Sequence, residues 1–200
     1  VDVDGVLIVH PDPNGWSARL LTDIGLCPDA LHQLFFKRHW DDVIHGRAPL
    51  RNRLGPVLAD MSPSVICDTL IDYWFSHDAH LDHRLLAELA LIRSGGVEVH
   101  LATVQEHERA AYLWDRLDLR SQFDQMHYAA DLGHAKPEAE FYRAVAARTS
   151  LTPGAIFLID DRADNVDSAR QCGWNAALWD GRSTVTELLA EAGWGVRPPR

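Results

Sequence analysis

Five short apolar runs, at residues 1–9, 97–102, 125–129, 155–159 and 175–179, have the length of buried strands, and segments of helical periodicity separate the later ones. Alternation of this kind specifies an α/β chain in which helices cover both faces of a parallel sheet. Residues 106–117 carry Ala110, Ala111, Leu113, Trp114 and Leu117 on one broad face, the spacing of an amphipathic helix. Further helices are predicted over residues 137–148, which open with a proline suited to a first turn, and over residues 163–172, which stop at Gly173.

Between the first run and residue 97 there is almost no strand signal, and helical patterns fall at residues 29–38, 64–75 and 81–93. A structureless loop of that length does not suit a compact chain. The reading is a small α-helical subdomain at residues 15–81, inserted after the first strand, with residues 1–14 and 82–200 forming the core. Open parallel sheets bind ligands outside the carboxyl ends of their strands. The insertion would therefore lie over that crevice as a cap. No internal repeat or low-complexity linker is evident, and Arg197-Pro198-Pro199-Arg200 reads as a frayed tail.

Two hundred residues, 46% of them hydrophobic, suffice for one core domain with a modest insertion. Apolar runs are broken by charges well short of the roughly 18 to 20 residues of a membrane span, and no signal-peptide pattern is present. The chain starts without Met and inside a strand, which suggests that residues precede it. Cys27, Cys67 and Cys172 are odd in number and widely spaced, which argues against a disulfide framework and for a reducing, cytoplasmic setting. A net charge of −10 with scattered arginines disfavours nucleic acid as a partner. Nothing in the pattern specifies an oligomeric state.

The opening Val1-Asp2-Val3-Asp4-Gly5 places two carboxylates one residue apart. On a strand, side chains at i and i+2 share one side, about 7 Å apart. Like charges that close repel in a crevice of low dielectric, so the pair calls for a cation, or for a division between nucleophile and acid. Asp-x-Asp-Gly also occurs in calcium loops and ordinary turns. Three more segments narrow the reading: Thr103 at the end of the second run, Lys136-Pro137-Glu138 at a helix start, and Asp160-Asp161 after the fourth run, followed by Asn165. All sit at carboxyl ends of predicted strands or just after them, so they can converge although they span most of the chain. Taken singly, a strand-end Thr is commonly a turn hydroxyl and a Lys at a helix start is commonly solvated.

The order of these four segments resembles the haloacid dehalogenase superfamily of aspartate-nucleophile hydrolases. Asp131-Leu132-Gly133-His134-Ala135-Lys136-Pro137-Glu138, with Asp160 to Asn165, is especially similar to small sugar-phosphate phosphatases and to the phosphatase domain of soluble epoxide hydrolase. The resemblance implies a Rossmann-like core with a helical cap, and a Mg²⁺-dependent phosphatase acting on a small phosphorylated metabolite such as a sugar phosphate. It implies Asp2 as nucleophile, forming a reactive aspartyl phosphate, and Asp4 as acid and base. Thr103 and Lys136 would bind the phosphoryl group. Asp2, the backbone carbonyl of Asp4, and Asp161 would hold the metal, with Asp160 and Asn165 orienting them. Such a metal and Lys136 would reverse the repulsion that the net charge exerts on an anionic substrate.

Two positions depart from the family pattern: Asn165 stands where Asp is frequent, and Val104 stands where Asn often follows the Thr. Dehalogenation needs neither a proton for the leaving group nor Mg²⁺, so Asp4 and the Asp160-Asp161 pair would be liabilities in it. A phosphomutase, whose cap excludes water, and a binding protein that retains the fold are further readings. His10, just after the first run, is the substrate-binding candidate at the site entrance. Trp40, His39 and Arg47 are candidates to face the crevice, with packing of the cap the simpler role for Trp40. His77, His80 and His83, interleaved with Asp78 and Asp82, read as a solvated hinge or helix start rather than a transition-metal site. Trp174, Trp179 and Trp194 read as core or subunit-contact residues.

Overall fold

The computed structural model describes residues 1–195, so the expected tail at residues 197–200 lies outside the described residues. Before the first regular strand come α1 (Leu20–Ile24), α2 (Pro28–Leu31), α3 (Lys37–Ile44), α4 (Leu50–Met61), α5 (Cys67–His77) and α6 (His83–Ser94). A π-helical turn at His32–Phe36 joins α2 to α3. The chain continues through β1 (His100–Thr103), α7 (His107–Ala111), a π-helical turn at Tyr112–Arg116, α8 (Leu119–Gln122), β2 (Gln125–Tyr128), α9 (Ala129–Leu132) and α10 (Ala139–Thr149). It closes with β3 (Phe157–Asp160), α11 (Ala163–Gln171), β4 (Asn175–Leu178) and α12 (Val185–Glu191).

β1 pairs with β2 and β3 with β4, both in parallel. Residues 1–3 run between the two pairs: Ala102 N donates to Val1 O and Asp2 N donates to Ile159 O, each at 2.9 Å. The spatial order is therefore β2, β1, residues 1–3, β3, β4, a Rossmann-like arrangement whose direction of winding reverses beside the N-terminal segment. Alternation along the strands covers both faces. Leu101 and Ile159 pack with Val3, Leu85, Leu113 and Leu188, whereas Ala102 and Leu158 pack with Phe141, Tyr142, Val166 and Trp174.

The first strand is shorter than its apolar run. After Val3 the chain folds back, with Val6, Leu7 and Ile8 N–H all directed at Val3 O, at 3.3, 2.8 and 2.8 Å. Val3, Val6 and Leu7 are fully buried, so the run is apolar because it is a packed turn, not because it is all strand. Thr184 and Glu187 form a capping box that starts α12, and Asp82 caps α6 by accepting from Arg84 N and Leu85 N.

The helices α1 to α5 have a hydrophobic cluster of their own. Leu31, Phe35, Leu54, Leu58, Leu70 and Ile71 form its centre, and Trp16 stacks on Trp74 at 5.0 Å between ring centroids. Trp40 packs against Phe36 and Trp74 in this cluster. The two chain passages into the cluster run side by side, with Val9 N donating to His80 O at 3.0 Å and Asp82 N to Leu7 O at 2.8 Å. His77 stacks on Tyr73 and His83 opens α6. Trp174 and Trp179 are buried in the core, and Trp194 packs on Phe157.

Candidate active site

The strands deliver their acidic ends to one place. Lys136, whose side chain is wholly buried, directs Nζ between Asp2 Oδ1 at 2.9 Å and Asp160 Oδ2 at 2.6 Å. Val3 N donates to the same Asp2 oxygen at 2.7 Å, so the other, Oδ2, has no hydrogen bond from the described residues. Asp160 Oδ1 accepts from Asn165 Nδ2 at 2.9 Å and from Arg162 N at 3.0 Å. Both oxygens of Asp160 are thus engaged by the protein.

Asp4 belongs to the turn after residues 1–3, so it reaches the crevice by the turn and not by strand alternation. The residue is exposed, yet the walls of the crevice surround its carboxylate. That desolvation, with the Asp78 and Asp2 carboxylates, raises its pKa to about 7 against the pull of Arg109 and Gln105. Burial also raises Asp2, against Lys136, and raises Asp161, with Asp160 adding to the effect. Thr103 is fully buried at the end of β1. Gln105 Nε2 donates to Asp4 Oδ2 at 2.7 Å and to Thr103 Oγ1 at 3.4 Å.

Oxygens of Asp2, Asp160 and Asp161 lie within 4.8 Å of one another, the only such metal-competent group among the described residues. Asn165 Oδ1 is buried beside them without a protein partner. An all-oxygen, carboxylate-rich set of this kind suits a hard divalent cation such as Mg²⁺. His10 is not part of it: its ring nitrogen pairs with Asp12 N at 3.0 Å, and its ring edge meets His80.

The helical cluster seats directly on the core beside this site. His45, after α3, places Nε2 at 2.8 Å from Glu138 Oε1, and Trp40 and Ile44 pack around Ala129, Ala135 and Val104. Val104 therefore makes an apolar contact with this helical cluster. Arg47 pairs with Asp41 and Asp42, and His39 lies against Phe35.

Sequence reasoning missed Gln105, Glu106 and Arg109, all buried. Glu106 and Arg109 left a signal, charged residues in the helical pattern of residues 106–117, whereas Gln105, in the loop before it, left none.

A model of the haloacid dehalogenase-like hydrolases matches residues 1–173. The phosphorylated carbohydrates phosphatase of Thermotoga maritima is 28% identical over 85 residues, 42% of this chain and 39% of that protein. The match thus spans well under half of that relative. A haloacid dehalogenase family enzyme from Bacteroides thetaiotaomicron, solved with magnesium and inorganic phosphate, has the same fold at 18% identity. Its TM-score is 0.71, with 94% of this chain and 96% of that one covered. A predicted hydrolase of the family from Porphyromonas gingivalis superposes at TM-score 0.75, also with 18% identity, over 95% of this chain and 94% of that one. With its motifs converging at the switch point of a Rossmann-like sheet, the chain belongs to the haloacid dehalogenase-like hydrolases.

Proposed function

We propose that this hydrolase is a Mg²⁺-dependent phosphatase that cleaves a small phosphorylated metabolite, such as a sugar phosphate, through an aspartyl phosphate on Asp2. The observation that carries the reading is Lys136, buried between Asp2 and Asp160 beside a third carboxylate. Three clustered carboxylates with one ammonium leave an excess of negative charge, which would repel a phosphate dianion unless a cation joins them. The phosphorylated-carbohydrate phosphatase among the relatives supports the substrate class.

In this reading Asp2 attacks phosphorus while Lys136 and Thr103 hold phosphoryl oxygens. Asp4 gives its proton to the leaving alkoxide, then takes one from the water that attacks the aspartyl phosphate. A pKa near 7 suits a group that works in both directions. Asp2, Asp161 and the Asp4 backbone carbonyl would hold Mg²⁺, whose chemistry is neutralisation of charge on the transferring group. Asp160 and Asn165 orient that set. Residues 15–81 act as the cap over residues 1–14 and 82–200, with substrate specificity set beneath it. His10 would contribute only at the entrance. Three free cysteines support a cytoplasmic setting.

The test is phosphate release from an aryl phosphate and a panel of sugar phosphates, with Mg²⁺ and with chelator. Asp2→Asn should reduce release by about 10³-fold or more, as loss of a covalent nucleophile does, while its melting curve stays cooperative. Metal-independent release, or an active Asp2→Asn, would overturn the reading. Halide release from a haloacid in its place would select dehalogenation.

A further inference from the structure

Asp4 is an exposed residue on a turn, so nothing in its own backbone aims the side chain at substrate. One buried side chain contacts it from across the crevice. Gln105, only 4% exposed, gives its amide to Asp4 Oδ2 at 2.7 Å while the same nitrogen lies 3.4 Å from Thr103 Oγ1. The amide nitrogen, the donor end of the group, faces the carboxylate. The contact thus draws Asp4 toward the hydroxyl of Thr103, where a phosphoryl oxygen and the ester oxygen next to it would lie.

The base on which Gln105 stands is fixed at both ends. Its own carbonyl accepts from Ala130 N at 3.1 Å, tying the loop to the segment after β2. The next residue, Glu106, is buried and caps α7 by accepting from Glu108 N and Arg109 N. Arg109, also buried, donates to Phe75 O at 3.0 Å and to Asp78 O, and its guanidinium lies over the rings of Phe75 and Tyr112. Phe75 and Asp78 lie where α5 ends and the chain returns to the core. A side chain held by so rigid a base can set the direction of a flexible partner.

We infer that Gln105 is a positioning residue that aims Asp4 at the leaving-group oxygen, an inference that rests on Asp4 acting as the acid. Its effect must then follow the need for a proton. Alkyl and sugar phosphates expel a basic alkoxide and need the acid, whereas nitrophenyl phosphate expels a stable phenolate and does not. A merely structural glutamine would affect both alike.

The experiment measures kcat/KM, which reports steps through the first phosphoryl transfer, for nitrophenyl, phenyl and alkyl phosphates at saturating Mg²⁺. In Gln105→Met, kcat/KM should fall at least about tenfold for the alkyl ester and less than about threefold for the nitrophenyl ester, part of the 10² to 10⁴-fold that general acid catalysis supplies. In an Asp4→Asn background, Gln105→Met should cause no further loss for the alkyl ester. Gln105→Glu, which places a carboxylate against Asp4, should show the same leaving-group dependence. A uniform loss across the esters, or additive losses in the double variant, would overturn the inference, as would failure of both Gln105 variants to fold. An active Asp2→Asn would instead remove the phosphatase reading itself, so the two failures are distinguishable.

Discussion

Gly5 lies at φ 78°, and a Cβ built on it would sit 2.2 Å from Asp161 Oδ2. Both facts follow from the turn that brings residues 4 and 5 under the end of β3. Gly5→Ala should cost about 1–2 kcal/mol for the left-handed backbone alone, and it should push the Asp161 carboxylate out of the oxygen cluster. Calorimetric titration should then show Mg²⁺ affinity lower by about 10 to 100-fold, the usual effect of disturbing groups around a metal. Unchanged affinity would remove Asp161 from the proposed ligand set. Asp2, Thr103, Lys136, Asp160 and Asn165 could be singled out from sequence because they stand in one ordered set of short motifs. Gln105 could not, because a glutamine in a loop has no distinctive pattern and its partner is 101 residues away.

At the level of elements, the β1–β2 pair carries a pH dependence. His100 Nδ1 and His127 Nε2 lie 3.1 Å apart across the two strands. Burial, and then the nearby His100, push His127 down to about 4. The folded chain keeps this imidazole neutral, whereas the unfolded chain protonates it near the ordinary 6.5. Its contribution to stability is therefore complete above about pH 6.5 and is lost as the pH falls toward 4, where the unfolded state binds the extra proton. Urea melts between about pH 7 and pH 4.5 should show a shallower decline for His127→Gln than for the native chain, and parallel declines would refute the assignment. Element prediction succeeded where periodicity and caps agree: α11 begins at Ala163 as expected and ends at Gln171, just before Gly173. It overlooked α4, whose central Gly55 and Pro56 argue locally against a helix, although Leu50, Leu54 and Leu58 pack its buried face.

For the molecule as a whole, a net charge of −10 opposes the approach of any dianionic substrate until the local cations act. Raising monovalent salt from about 0.02 to 0.2 M shortens the screening length from roughly 20 to 7 Å. At fixed free Mg²⁺, kcat/KM for a sugar phosphate should rise with that salt, as repulsion over the surface is screened. A fall would mean that attraction from the site already governs the encounter. By itself, the sequence determined the α/β class and the order of the acidic and basic segments, because these depend on local periodicity and spacing. Only the tertiary structure decided that Asp4 arrives by a turn, that Gln105 donates to it, that His45 meets Glu138, and which oxygens Lys136 joins. Those outcomes depend on contacts between residues as much as 101 positions apart, whose geometry is set by packing against the sheet and not by any neighbour in the chain.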